Sequence, residues 1–206
     1  MKVVARFVTS AADPKQFPAP SAPEIAFLGR SNVGKSSLIN ALVGTKIAKT
    51  SNTPGRTQTI NFFDLRRPCK PHAELFFVDL PGYGYARAPK ELTTQWSHFI
   101  DPYLHSRASL ALCLALVDVS IPPQQLDAQL LQWLRHRERK FRVVATKADR
   151  VSGNQLRQSV QRLCQAFEID ASEIIAFSST TRAGHAQLWR TIQSAVGIVM
   201  PGVSKD

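Results

Sequence analysis

The octapeptide Gly29-Arg30-Ser31-Asn32-Val33-Gly34-Lys35-Ser36 has the spacing G-x-x-x-x-G-K-[ST] and sits where an apolar run gives way to a helical pattern. The chemistry of such a stretch is the gripping of phosphate. Glycines let backbone N–H groups curl around a β-phosphate, and the start of a helix adds partial positive charge. Lys35 is then placed to bridge β- and γ-oxygens, and the Ser36 hydroxyl to ligate Mg²⁺.

Two further stretches suit the same ligand. Asp79-Leu80-Pro81-Gly82 begins 43 residues after Ser36, at the end of another apolar run. An Asp there holds water on Mg²⁺, and a glycine N–H meets a γ-phosphate. Thr146-Lys147-Ala148-Asp149 ends a third run. A carboxylate at that point accepts from both guanine N1–H and its 2-amino group. Adenine has neither donor, so the same carboxylate against adenine would be left unpaired at a cost. The Lys147 stem can lie over the purine face, and Phe177-Ser178-Ser179 can add a backbone N–H to guanine O6.

The stretch Thr45 to Thr59 carries five threonines, two lysines and Pro54-Gly55-Arg56. A loop of that length inside a compact domain is functional or mobile. It reads as a switch that brings a Thr hydroxyl to Mg²⁺ only when the γ-phosphate is present. Thr50, Thr53, Thr57 and Thr59 all qualify chemically, and spacing does not choose among them.

The elements that must position these residues follow from hydrophobic periodicity. Short apolar runs at 24–28, 74–78, 109–117, 141–145 and 173–177 alternate with helix-length stretches at 35–43, 92–105, 123–139, 153–167 and 185–196. Residues 59–65 form a further strand. Only eight residues, 66–73, separate it from the strand at 74–78, too few for a crossover helix, so those two strands should be antiparallel. The expectation is a three-layer α/β sandwich of the P-loop NTPase type around a mixed six-stranded sheet, with one antiparallel strand and helices on both faces. Residues 1–22, with four of the chain's 13 prolines falling in 9–23, read as an N-terminal extended arm. Residues 23–200 read as one nucleotide-binding domain and 201–206 as a tail.

Composition narrows the class. The 206 residues carry 26 Lys and Arg against 15 Asp and Glu, a formal net charge of +11, which favours a polyanionic partner. Lys46, Lys49, Arg56, Arg66, Arg67 and Lys70 cluster in one stretch, and Arg135, Arg137, Arg139, Lys140 and Arg142 in another. Both are candidate phosphate-contact patches. Three scattered cysteines, none in a C-x-x-C pair, argue against a disulfide framework or a structural zinc site. The five histidines and three tryptophans show no ligand or stacking spacing. No apolar run approaches the ~20 residues that span a bilayer, and the expectation is a soluble, cytoplasmic chain without stable membrane association.

The motifs together resemble a known family. The run from Pro23 through Gly29-Arg30-Ser31-Asn32-Val33-Gly34-Lys35-Ser36 to Ser37 is similar to the bacterial EngB (YihA/YsxC) ribosome-biogenesis GTPases, of the TrmE–Era type. So are Thr53-Pro54-Gly55-Arg56-Thr57-Gln58, Asp79-Leu80-Pro81-Gly82-Tyr83-Gly84-Tyr85-Ala86 and Thr146-Lys147-Ala148-Asp149. The common GTPase form of the last motif has Asn in place of Thr146; Thr there fits this family. The resemblance implies Thr57 as the switch ligand of Mg²⁺ beside Ser36. It also puts Gly55, Arg56, Thr57, Gln58 and Thr59, with Phe177, Ser178 and Ser179, near the nucleotide. It further implies a role in assembling the large ribosomal subunit, with a pre-ribosomal particle (rRNA and ribosomal proteins) as partner; GTP and GDP are the expected ligands, and a monomer the expected state.

Ras-like enzymes place a Gln after D-x-x-G to orient the attacking water; here that position is Tyr83, so hydrolysis should be slow in isolation, about 10⁻⁴ to 10⁻³ s⁻¹ or below. No side chain is assigned as catalytic. Asn32 admits two readings: a K⁺ ligand, as in TrmE–Era-class enzymes, with Asn52 as a loop partner, or a loop-stabilising hydrogen-bond former. The expected function is a GTP-driven switch in large-subunit assembly. The alternative is a regulatory GTP-binding module with negligible hydrolysis that acts on a protein or membrane partner.

Overall fold

The computed structural model describes residues 3–49, 59–83 and 100–200. Within them, seven strands form one sheet in the order β1-β3-β4-β2-β5-β6-β7. They are β1 (Val4–Ala11), β2 (Glu24–Gly29), β3 (Ile60–Arg66), β4 (Leu75–Asp79), β5 (Leu110–Asp118), β6 (Phe141–Thr146) and β7 (Ile174–Ala176). Five helices accompany them: α1 (Lys35–Val43), α2 (Asp101–Ser106), α3 (Gln125–His136), α4 (Gly153–Phe167) and α5 (His185–Val196).

The expected six-stranded sheet is therefore a seven-stranded one. The additional strand is β1, which lies within the segment expected to be only an arm. It pairs antiparallel with β3, from Val4 opposite Arg66 to Ala11 opposite Ile60, with a register break between Phe7 and Thr9. That break and the exposure of both Phe7 and Val8 remove the alternating pattern by which a strand is read from sequence. β3 is antiparallel to β4 as well, and the remaining pairs are parallel. Among the described residues, then, a single strand, β3, runs against all the others, as the short 66–73 connection requires.

The sheet separates two apolar layers. Strand β2 is buried at every position, as a central parallel strand covered on both faces must be. Its Ile25 and Phe27 face α1 and α5, joining Leu38, Leu42, Leu188, Trp189 and Ile192. Phe27 and Phe77 meet edge to face at 4.8 Å, and the Trp189 indole N–H donates to the Leu42 carbonyl at 3.1 Å. Ala26 and Leu28 face the other way, toward Tyr103, Leu130, Leu134, Leu163 and Phe167 from α2, α3 and α4. Helix α4 starts at a capping box, with Ser152 and Gln155 satisfying each other's backbone N–H.

At the end of the sheet where the parallel strands begin, Glu24 is buried at 1 % exposure. It accepts from Arg107 Nε, Tyr103 Oη and Ser109 Oγ at 2.8–3.1 Å. Arg107 also donates to the Pro18 carbonyl at 2.7 Å, and the Phe17 ring packs edge-on to Tyr103. The arm is thereby fastened beneath the sheet. Cys113 is buried in β5, which pushes its thiol up to about 12, whereas Cys69, in the β3–β4 turn, is exposed.

Candidate functional site

All the described site residues gather at the opposite end, where parallel strands finish and ligands of open α/β sheets bind. β2 ends at Gly29, where a Cβ would come within 2.8 Å of Val33 Cγ1 and 3.0 Å of the Leu116 carbonyl oxygen, so only glycine fits. Asn32 takes the left-handed region at φ 64° and Gly34 does so at φ 106°. Gly34 is the residue ahead of α1, and among the described residues no side chain caps that helix start. The first amides of α1 are thus left to an external acceptor.

Lys35 and Ser36 open α1. Desolvation lowers the Lys35 pKa, opposed by the attraction of Asp79. Desolvation likewise raises Asp79, opposed by Lys35. Asp79 ends β4, beside β2, and among the described residues its buried Oδ1 has no hydrogen-bond partner. A buried orphan acceptor close to Lys35, at the helix start that also carries the Ser36 hydroxyl, suits a divalent cation with its bound waters and phosphate oxygens. The donor set therefore fits Mg²⁺. No cluster of three or more His, Cys, Asp or Glu suited to a metal occurs among the described residues.

Leu80 and Pro81 follow Asp79 and are buried with it; the Leu80 N–H donates to the Phe27 carbonyl at 3.2 Å. Gly82 lies against the P-loop: a Cβ would stand 3.0 Å from Ser31 N, Cα and Oγ. Tyr83, one residue on, accepts from Ser31 N–H at 2.9 Å and buries its ring. Its hydroxyl donates to Asp127 Oδ1 at 2.8 Å, and Arg30 Nε reaches both oxygens of the same carboxylate at 3.1 and 3.2 Å.

The base-recognising loop stands beside the P-loop. Thr146 Oγ1 lies 2.7 Å from the Val33 carbonyl oxygen and 3.0 Å from that of Val117. Lys147 is left-handed at φ 60°, which turns the chain sharply into Ala148 and Asp149. Its ammonium meets Asp118 Oδ2 at 2.5 Å. Desolvation tends to raise the Asp118 pKa, but hydrogen bonds from Lys147 and Ser120 outweigh it and hold the carboxyl below the usual range. The exposed Asp149 accepts from Ser178 Oγ at 2.6 Å. Ala148 N–H donates to the Phe177 carbonyl at 3.2 Å, and Phe177 N–H to that of Ala145 at 2.8 Å, which seats 177–179 against the loop.

The structure therefore brings together Gly29 to Ser36, Asp79 to Gly82, Thr146 to Asp149 and Phe177 to Ser179. Thr59, just ahead of β3, stands near the same end, since Asn61 pairs with Asp79. Gly55, Arg56, Thr57 and Gln58, with the alternatives Thr50 and Thr53 and with Asn52, lie outside the described residues. Three carboxylate partnerships were not anticipated from sequence: Asp118 with Lys147, Asp127 with Tyr83 and Arg30, and Ser178 with Asp149. Asp118 directly follows the apolar run of β5, a position at which a charged residue signals a strand-end contact.

The basic stretch around 135–142 is largely committed to structure. Arg135 donates to the carbonyls of Phe167 and Glu168 at the end of α4, Arg139 to that of His105, and Arg137 pairs with Asp101 at 3.1 Å. Arg67 pairs with Glu74. Lys70 and Lys140 remain exposed.

Residues 24–147 match the family model described as "50S ribosome-binding GTPase". The chain is 62% identical over 204 residues, 99% of its length and 100% of the relative's, to a probable GTP-binding protein EngB of Koribacter versatilis. It is 53% identical over 193 residues, 93% of this chain and 90% of the relative, to the protein of the same name from Acidobacterium capsulatum. Among solved structures, that of a probable GTP-binding protein engB aligns with a TM-score of 0.65 at 24% identity, covering 84% of this chain and 98% of its own; this likeness bears on the fold.

Proposed function

This chain belongs to the EngB family of P-loop GTP-binding proteins, and from that premise we propose that it is a Mg²⁺-dependent GTPase switch that acts in assembly of the large ribosomal subunit. The observation that carries the switch is the orphaned Asp79 Oδ1 beside the desolvated Lys35. Burying Asp79 beside a half-buried ammonium is costly without a ligand to answer them, and a metal-bound triphosphate answers both.

Ser36 Oγ would hold the cation, joined by Thr57 when the γ-phosphate is present, and the Asp79 carboxylate would hold a water on it. Bound Mg²⁺ neutralises charge on the β- and γ-phosphates. Gly34 and the first amides of α1 bind the β-phosphate, and Lys35 spans β- and γ-oxygens. Asp149, oriented by Ser178, selects guanine, and Lys147, oriented by Asp118, covers the ring. Arg30, Ser31, Asn32 and Val33 form the loop wall. Gly55, Arg56, Gln58 and Thr59 complete the switch, and Leu80 and Pro81 carry Gly82 to the γ-phosphate.

Hydrolysis is slow in isolation because the Tyr83 hydroxyl is occupied by Asp127 inside the core, away from any attacking water. The same observation favours the second reading, a regulatory module with negligible turnover. K⁺ at Asn32 is one route by which a partner could complete the site. The large-subunit reading draws on the description of the matched family, and the net charge of +11 suits rRNA. The chain works as a cytoplasmic monomer; no helix among the described residues is long and apolar enough to cross a membrane.

Calorimetry with GTP, GDP and ATP in Mg²⁺ tests the ligand, and co-sedimentation with large-subunit particles tests the role. Guanine nucleotides should bind and ATP should not, and particle binding should be stronger with a non-hydrolysable GTP analogue than with GDP. Equal binding of ATP overturns the guanine assignment, and nucleotide-independent sedimentation overturns the switch.

A further inference from the structure

Asp127 sits in the first turn of α3, outside every nucleotide motif, at 2 % exposure. A carboxylate so deeply placed is costly unless its oxygens are satisfied. Desolvation raises its pKa, and the Tyr83 hydroxyl and the Arg30 guanidinium oppose that rise. The two donors come from different parts of the nucleotide site: Arg30 from the P-loop, Tyr83 from the residue that follows Gly82. A side chain of α3 thus joins the loop for the β-phosphate to the segment for the γ-phosphate.

The backbone repeats the connection. Arg30 and Tyr83 form an isolated parallel bridge, Ser31 N–H donates to the Tyr83 carbonyl at 2.9 Å, and Ser31 Oγ lies 3.4 Å from the Gly82 carbonyl oxygen. Gly82 has no room for a side chain against Ser31. The position of Gly82 is therefore set by its neighbour Tyr83, and Tyr83 is anchored at its far end by Asp127.

We propose that Asp127 is a positioning residue for γ-phosphate recognition: by holding Tyr83 and Arg30 together it keeps Gly82 pre-placed beside the P-loop, and it thereby sets the preference for GTP over GDP. The inference rests on the reading of this chain as a GTP switch. GTP and GDP differ only in the γ-phosphate, so a device that pre-orders Gly82 strengthens binding of one and not the other. Without the anchor, ordering Gly82 would be a cost charged to GTP binding alone.

The test is the ratio of two affinities, measured by calorimetry in Mg²⁺ with a non-hydrolysable GTP analogue and with GDP. Tyr83→Phe removes the hydroxyl and keeps the ring that fills the core. It should weaken the analogue about fivefold, the worth of one buried hydrogen bond, and leave GDP within twofold. Asp127→Asn should shift the ratio in the same direction. The double variant Tyr83→Phe/Asp127→Asn should lose less than the two single losses added, because the Tyr83 hydroxyl acts through Asp127. Equal weakening of both nucleotides by Tyr83→Phe, or an unchanged ratio, overturns the proposal. Absence of any nucleotide binding by the unaltered chain would instead refute the GTP-switch reading itself, so the two failures are distinct.

Discussion

Thr146 Oγ1 touches the Val33 carbonyl at 2.7 Å and the Val117 carbonyl at 3.0 Å, so a single hydroxyl fastens the base-recognising loop to the phosphate-binding loop. One proton serves two acceptors, and both lie in a dry interior where Thr146 is 3 % exposed. Thr146→Val keeps the shape and removes the donor. It should cost about 1–2 kcal/mol, lowering Tm by roughly 2–8 °C, and weaken guanine nucleotides as the loops lose their common register. Thermal melts with and without GDP measure both effects.

Base choice should follow Asp149 and the hydroxyl that orients it. Asp149→Asn replaces an acceptor with a group that donates toward the guanine N1–H, and GDP affinity should fall by about 100-fold or more. Ser178→Ala leaves the carboxylate in place without its 2.6 Å partner and should lower GDP affinity about fivefold. Calorimetric titration separates the two; equal losses would show that Ser178 contacts the base itself.

Acid sensitivity should be traceable to Asp118. Its pKa is depressed in the folded chain by Lys147 and Ser120, against the opposing pull of desolvation. Such a group binds protons more weakly folded than unfolded. Its stabilising contribution is therefore complete above the unfolded value of about 3.9 and is lost as pH falls from there through the lower folded value. Urea unfolding between pH 3 and 7 should show a shallower acid limb for Asp118→Asn than for the parent chain.

The pair Arg107–Glu24 should matter for folding and not for nucleotide. Glu24 is 1 % exposed, so Arg107→Met leaves a buried carboxylate without its charge partner. The expected loss is about 3–5 kcal/mol, seen as a lower urea midpoint. Replacing Glu24 with Leu in the same chain should recover much of it, because the charge to be buried is gone.

RNA contact should register in salt dependence. Lys70→Glu with Lys140→Glu removes two exposed cations far from the nucleotide. Sedimentation with large-subunit particles should weaken and the slope of log K against log salt should flatten by about 1 to 2, with GDP affinity unchanged. An unaltered slope would exclude both lysines as phosphate contacts.

What the sequence made legible, and what it did not, divides by the range of the interaction. Helix bounds at 35–43, 153–167 and 185–196 coincide with α1, α4 and α5, because periodicity and caps such as Ser152 and Gly197 act within a few residues. The P-loop and the ends of β4 and β6 were equally readable as local motifs. Strand β1 was not, since an edge strand exposing Phe7 and Val8 carries no buried alternation. Asp127 was not either: its partners stand 44 and 97 residues away, and no local rule connects them. The arginines at 135–139 read as candidate phosphate contacts, yet two of them cap helix ends contributed by distant segments.

The contrast between Cys113, shut inside β5, and Cys69, open on the β3–β4 turn, makes the chain selectively addressable by maleimide chemistry. Cys69 sits on the pole remote from the phosphates, since Leu65 and Leu75 flank that turn and Asp79 closes the other end of the same ribbon. A fluorophore attached there, with Cys164 replaced by Ser, would report docking through anisotropy while leaving the nucleotide pocket chemically untouched.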